Sequence, residues 1–230
     1  LRIAGVGESI METMVKDLID SQTNPTIAPY AKDSEALLRI TAKAKDKQQA
    51  EQLIAPVAEE IYRRFGHNVY AEGETNMQTV VAELLLKKQK TIATAESCTG
   101  GAIASALVEY AGISSVFLDG CVTYSNASKQ NRLGVKEQTL QKYGAVSAET
   151  AREMAEGAAK TAGTNIGLST TGVAGPDGGT EQKPVGLVYI GLTIDGVTKT
   201  KKCHFVGNRE KIRVRTVHTA LDWLRRELLK

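Results

Sequence analysis

Apolar residues recur at Ala50, Leu53, Ile54, Val57, Ile61 and Phe65, a stripe at helical spacing that predicts a helix from Lys47 to Phe65. Leu38, Ile40 and Ala42 alternate with their neighbours instead, as one face of a strand does. Extended over the first part of the chain, this reading gives a strand at Leu1 to Gly5, a helix at Ser9 to Asp20, and strands at Thr26 to Ala31 and Glu35 to Ala44 separated by a turn. The helix from Lys47 and a strand at Asn68 to Ala71 complete it. The order is β-α-β-β-α-β, that of a small split-βαβ or KH-like domain. No GXXG loop stands between helices as RNA-binding KH domains require, so a spacer or dimerisation role is the expectation. Gly5-Val6-Gly7 follows a strand but lacks the third glycine of a dinucleotide fingerprint.

The polar turn Glu72-Gly73-Glu74-Thr75 marks a change of character, and we place the domain boundary there, with domains over 1–73 and 74–230. Beyond it the pattern predicts a helix at Met77 to Lys88, a strand at Thr91 to Ala95, a helix at Gly101 to Tyr110 and a strand at Ser115 to Thr123. Short helices at Ser128 to Leu133 and Lys136 to Lys142 precede a longer one at Ala148 to Ala162, capped by Ser147. A strand at Asn165 to Thr170, a glycine-rich loop, a hairpin turning at Asp195-Gly196 and a helix at Arg209 to Leu229 follow. Helices alternating with strands predict a layered α/β/α domain, and the hairpin makes its sheet mixed.

Composition narrows the class. The chain has 230 residues, 42 % of them hydrophobic, and a net charge of +3, too mild to argue for nucleic acid. The basic run Lys199 to Lys202 reads as the solvated side of a hairpin strand. Cys98, Cys121 and Cys203 are odd in number and form no C-x-x-C, and His67, His204 and His218 lie far apart. Disulfides, metal ligation and a cofactor therefore have no case, and a cytoplasmic setting is expected. No apolar run reaches the length of a membrane span. Because Leu1 already lies in a strand-like segment without an initiator methionine, we expect this to be the carboxyl part of a longer polypeptide.

The chemistry concentrates at strand ends. Ser97 follows the strand ending at Ala95 and precedes a helix, so it would project into the crevice of an open sheet, with the amides of Thr99, Gly100 and Gly101 opening the helix beside it. A helix cap is the alternative use of such a serine. A hydroxyl needs an activating base, and the second junction, Tyr124-Ser125-Asn126-Ala127-Ser128-Lys129, offers Lys129 and Tyr124, either of which could manage a proton, with Asn126 as a substrate contact. Cys98 is the rival nucleophile, pointed toward the core if the pleat persists. The loop from Thr170 to Gly179 has the length and glycine content to let a ligand approach its amides closely. Arg209 and Arg213 lie one turn apart at a helix start, where cations disfavour the helix and an anionic ligand would offset this.

Together AESCTGG, YSNASK, VSAETAREMA and TTGVAGPDGGTEQKPVG resemble the carboxyl-terminal domain of the CinA (competence/damage-inducible protein) family over residues 74 to 230. The small domain is similar to the KH-like middle region of full-length members, which also carry an amino-terminal domain similar to molybdopterin-binding proteins. The resemblance implies a nicotinamide-nucleotide amidohydrolase that converts nicotinamide mononucleotide and water to nicotinate mononucleotide and ammonia without a metal. It implies Ser97 as nucleophile, Lys129 with Tyr124 as proton carriers, Thr99 to Gly101 at the oxyanion, Thr171 and Gly172 at the nucleotide, Arg209 and Arg213 at the phosphate. A homodimer is the expected assembly. A non-catalytic nucleotide-binding or interaction module remains the alternative.

Overall fold

A computed structural model describes residues 1–31 and 34–230; the turn expected between the second and third strands falls on Lys32 and Asp33, outside the described residues. The chain divides into two compact units, 1–80 and 81–230.

In the first unit, strands β1 (Arg2–Ala4), β2 (Thr26–Ala31), β3 (Glu35–Thr41) and β4 (Val69–Ala71) form an antiparallel sheet of order β2-β3-β1-β4. Helices α1 (Glu8–Asp20) and α2 (Lys47–Phe65) bury Met11, Val15, Ile61 and Phe65 against Ile3, Leu38 and Val69 of the sheet. The predicted β-α-β-β-α-β order is the observed one. The third strand stops at Thr41 rather than Ala44, because its pairing with β2 ends at Thr26 opposite Thr41.

After α3 (Met77–Lys88), the second unit contains β5 (Ile92–Glu96), α4 (Ala102–Val108), β6 (Phe117–Val122), α5 (Asn126–Leu133), α6 (Glu137–Tyr143) and α7 (Ala148–Ala162). Strands β7 (Ile166–Gly172), β8 (Leu187–Ile194) and β9 (Val197–His204) and helix α8 (Arg209–Leu228) complete it. The sheet order is β6-β5-β7-β8-β9, with β6, β5 and β7 parallel and β7, β8 and β9 antiparallel, so the sheet is mixed as expected. The hairpin turns where predicted, at Asp195 and Gly196, both with positive φ (47° and 83°). On edge strand β9, Lys199 pairs with Glu227 and Lys201 lies 5.2 Å from the Trp223 ring, so this basic run covers the hairpin's own surface and helix α8.

Strand pleat decides which helix each residue meets. On β5, Ala93 and Ala95 face one way and join a core with Leu133, Leu140, Met154 and Ala158 from α5, α6 and α7. Thr94 and Glu96 face the other way, toward α4; α8 contacts both α4 and the sheet. Three layers result. The α7 layer sits unusually close, because a Cβ at Gly167 would lie 1.9 Å from the Ala155 carbonyl oxygen and one at Gly191 2.2 Å from that of Ala151. Within α7, Gly157 admits α5 in the same way, its ideal Cβ falling 2.0 Å from the Leu133 oxygen. Gly157→Ala must therefore push α5 away from α7. We expect a loss of about 1–3 kcal/mol in unfolding free energy, measured by urea titration, together with a reduced activity, since α5 carries Lys129.

Candidate active site

The pleat that puts Ala93 and Ala95 on the α5 face puts Ser97 there too, one residue past the end of β5. Its amide donates to the Thr170 carbonyl (2.9 Å), which anchors it against β7. Lys129 approaches from the first turn and a half of α5. That helix starts where it does because the Ser125 hydroxyl accepts the Ser128 amide (3.1 Å), and it ends at Gly134 in the left-handed region (φ 69°). With Leu133 buried against the core, Lys129 is turned inward and is only 1 % exposed.

The ammonium nitrogen of Lys129 has three partners: the Ser97 hydroxyl at 3.1 Å, the Thr123 carbonyl at 2.8 Å and the Tyr124 carbonyl at 3.2 Å. None is a carboxylate. Burial, the largest influence, lowers the Lys129 pKa from its ordinary value, with the neighbouring Cys98 thiol acting weakly in the opposite sense. A neutral lysine has two N–H bonds and one lone pair. Two carbonyls take the two N–H bonds, so the lone pair is left for the hydroxyl proton of Ser97. The arrangement can thus take that proton and return it.

Cys98, one residue on, lies beyond the end of β5 and is 6 % exposed. Burial pushes its thiol up to about 11, so it stays protonated at neutral pH. Glu96, on the α4 face of β5, is a residue the sequence reading misses. Its carboxylate accepts the amides of Gly101 (3.0 Å), Ile103 (3.0 Å) and Ala104 (2.8 Å), so it, rather than Ser97, satisfies the start of α4.

This corrects the expectation for the helix-opening amides. Gly101's amide belongs to Glu96 and Gly100's to the Ser97 carbonyl (3.1 Å). Among the described residues, the amides of Cys98 and Thr99 donate to no carbonyl, the Cys98 amide lying against its own thiol, which leaves these two beside Ser97 for a ligand oxygen. The Thr99 hydroxyl is paired with that of Thr170 at 2.7 Å.

The other expected residues divide. Tyr124 is 64 % exposed, and its hydroxyl meets the Arg209 guanidinium at 3.4 Å; only its backbone carbonyl reaches Lys129. Its backbone thus anchors Lys129, while its ring stands exposed. Asn126 is exposed at the start of α5, with no hydrogen bond from its side chain among the described residues. Thr171 donates its hydroxyl to the Ala145 carbonyl (2.7 Å), tying β7 to the start of α7. Gly172 still belongs to β7, and its ideal Cβ would lie 2.7 Å from both the Leu187 oxygen and a Val188 methyl, so strand packing alone demands glycine there. Arg209 donates to the Gly175 carbonyl (2.9 Å), joining α8 to the glycine-rich loop and to Tyr124. Arg213 donates to the Thr99 carbonyl through two nitrogens (3.3 and 2.7 Å).

A cleft of about 470 Å³ lies at the other end of the strands, lined by Glu156, Lys160, Thr164, Asn165 and Asp195 among others. Its polar groups already serve the fold: Asn165 holds Thr91, Thr164 its own strand, and Asp195 pairs with Lys90. Ser97, Lys129 and Thr170 gather instead at the carboxyl ends of β5, β6 and β7. Among the described residues, no three His, Cys, Asp or Glu side chains come together as a cation site, and no helix is long and apolar enough to cross a membrane.

The same segments carry the relationship to known proteins. Residues 1–71 match the damage-inducible protein CinA KH domain, and residues 74–228 match the CinA C-terminal domain. The chain belongs to the CinA family. A competence-damage inducible protein of Clostridium perfringens (strain 13 / Type A) is 61 % identical over 230 residues, covering all of this chain and 56 % of that protein. One from Clostridium acetobutylicum is 58 % identical over 229 residues, again with 56 % of its length covered. The chain therefore spans little more than half the length of these Clostridium relatives. Among solved structures, competence/damage inducible protein CihA from Agrobacterium tumefaciens superposes with a TM-score of 0.64 at 38 % identity, over 70 % of this chain and all of that one. A CinA superfamily protein from Klebsiella pneumoniae 700603 gives 0.65 at 34 % identity, over 67 % of this chain and 99 % of that one.

Proposed function

We propose that the second unit of this CinA-family chain hydrolyses the carboxamide of nicotinamide mononucleotide, giving nicotinate mononucleotide and ammonia. The observation that carries this reading is the buried Lys129 nitrogen 3.1 Å from the Ser97 hydroxyl, with two carbonyls as its other partners. Ser97 Oγ forms a bond to the amide carbon as its proton passes to Lys129, and the developing oxyanion is met by the amides of Cys98 and Thr99. The C–N bond then breaks, and the proton on Lys129 goes to the departing nitrogen, so ammonia leaves as a neutral molecule. Water attacks the resulting ester while Lys129 takes one of its protons; collapse returns that proton to Ser97 and releases the carboxylic acid, which ionises by giving its remaining proton to solvent.

Nicotinamide mononucleotide is favoured over a free amide because two arginines, neither paired with a carboxylate among the described residues, stand beside the nucleophile. Arg209 is the exposed one, between the Tyr124 ring and the glycine-rich loop, where a phosphate can reach it. Purified chain incubated with nicotinamide mononucleotide should release ammonia and nicotinate mononucleotide in equal amounts; a folded chain that releases neither would refute the proposal. Nicotinamide riboside should be hydrolysed far more slowly, as remote binding energy holds the amide for attack. Arg209→Ala should shrink the preference by roughly tenfold or more, the scale of a charge-assisted contact of about 1.5–3 kcal/mol. Comparing kcat/KM on the two substrates checks it.

A further inference from the structure

We infer that Arg213 is a positioning residue that holds the turn behind the nucleophile, leaving the acidic group of the substrate to Arg209. The inference rests on the reading of Ser97 as nucleophile. Two arginines one helical turn apart look equivalent in sequence, yet they point at different things. Arg213 is half-buried, and two of its nitrogens converge on one acceptor, the Thr99 carbonyl, the shorter contact at 2.7 Å. A planar guanidinium aimed at one carbonyl from two nitrogens fixes the orientation of that peptide group. Gly100, just beyond, is left-handed (φ 63°) and brings its ideal Cβ position within 3.8 Å of Arg213.

On the other side of the same turn, the Glu96 carboxylate takes the amides of Gly101, Ile103 and Ala104. The segment from Ser97 to Gly101 is thus gripped by an anion on its N–H groups and by a cation on a carbonyl. What this grip leaves without a carbonyl or carboxylate acceptor, among the described residues, are the amides of Cys98 and Thr99, the pair proposed to meet the reacting oxygen. Arg209 has the opposite character. It is exposed, donates one bond to Gly175 and meets Tyr124 at a long 3.4 Å.

The test separates a charge that reads the substrate from one that shapes the turn. A fluorophosphonate carries no nucleotide: Ser97 Oγ forms a bond to phosphorus, fluoride leaves, the hydroxyl proton goes to Lys129, and the P=O oxygen needs the same two amides. Its labelling rate at Ser97 reports turn geometry alone. Arg213→Met is expected to slow labelling by roughly tenfold to a hundredfold, the scale of a misplaced catalytic group. It should lower kcat on nicotinamide mononucleotide and on the riboside by one common factor, with the preference between them and KM nearly unchanged. Arg213→Lys, which can still donate to Thr99, should recover part of the labelling rate, and added guanidinium should recover part of it in Arg213→Ala. Arg209→Met should lose the preference that Arg213→Met keeps. Wild-type labelling in Arg213→Met, or a shrunken phosphate preference with normal labelling, overturns the inference. Rapid labelling of wild-type Ser97 without any hydrolysis of nicotinamide mononucleotide would refute the proposed substrate while leaving Arg213 tested. A wild type that is not labelled at Ser97 would overturn both.

Discussion

Ser97→Ala is expected to reduce amide hydrolysis by on the order of 10⁴- to 10⁶-fold while the chain stays folded, because covalent catalysis loses its attacking atom. The substitution removes a single oxygen from a side chain whose one hydrogen-bond partner, among the described residues, is Lys129. Cys98→Ala, one residue on, should cost far less, since that thiol is held protonated by burial. Steady-state ammonia release from both variants, with circular dichroism to confirm folding, decides the matter. An active serine variant and a dead cysteine variant would reverse the assignment.

Lys129→Met should have an effect of similar size on kcat, with a smaller change in KM, because a general base acts in the transition state rather than in binding. The pH profile gives the sharper signature. Lys129 must be neutral to accept the serine proton, so the rate should rise with pH and level off once the lysine has lost its charge. Burial lowers its pKa from the ordinary 10.5, so the plateau should begin below that value. Lys129→Arg should not rescue activity, since a guanidinium keeps its proton at any working pH. The Ser97→Ala, Lys129→Met double variant should be hardly worse than either single one, as groups acting as a unit lose their function together. A pH profile unchanged in Lys129→Met would remove lysine from the mechanism.

The fold and the two central residues could be read from the pattern because they depend on period and junction. A serine ending one strand and a lysine one turn into the helix after the next are brought together by any parallel β5-β6 pair, and Lys129 meets Ser97 for that reason. What escaped was decided by the sense of individual side chains. Tyr124 has the right chemistry for a proton carrier, but its ring is exposed and its hydroxyl turns to Arg209, a direction no spacing encodes. Glu96 was passed over although the pleat contained the signal. It stands on the face opposite Ser97, the face on which α4 begins, and an acidic side chain there meets unpaired amides. The glycines before the loop were read as room for a ligand, yet β7 continues through Gly172 because β8 pairs with it as far as Val188. Their absent side chains serve strand contact first.

The most direct test of the central claim is to quench the reaction of wild-type chain with nicotinamide mononucleotide in acid within the first turnovers and to map the protein by peptide mass spectrometry. The account predicts a nicotinate mononucleotide ester on the peptide containing Ser97, located on the serine oxygen, absent in Ser97→Ala and discharged as the hydroxamate when hydroxylamine is present. Steady release of ammonia with Ser97 unmodified at every time point, or the acyl group found on Cys98, would contradict it.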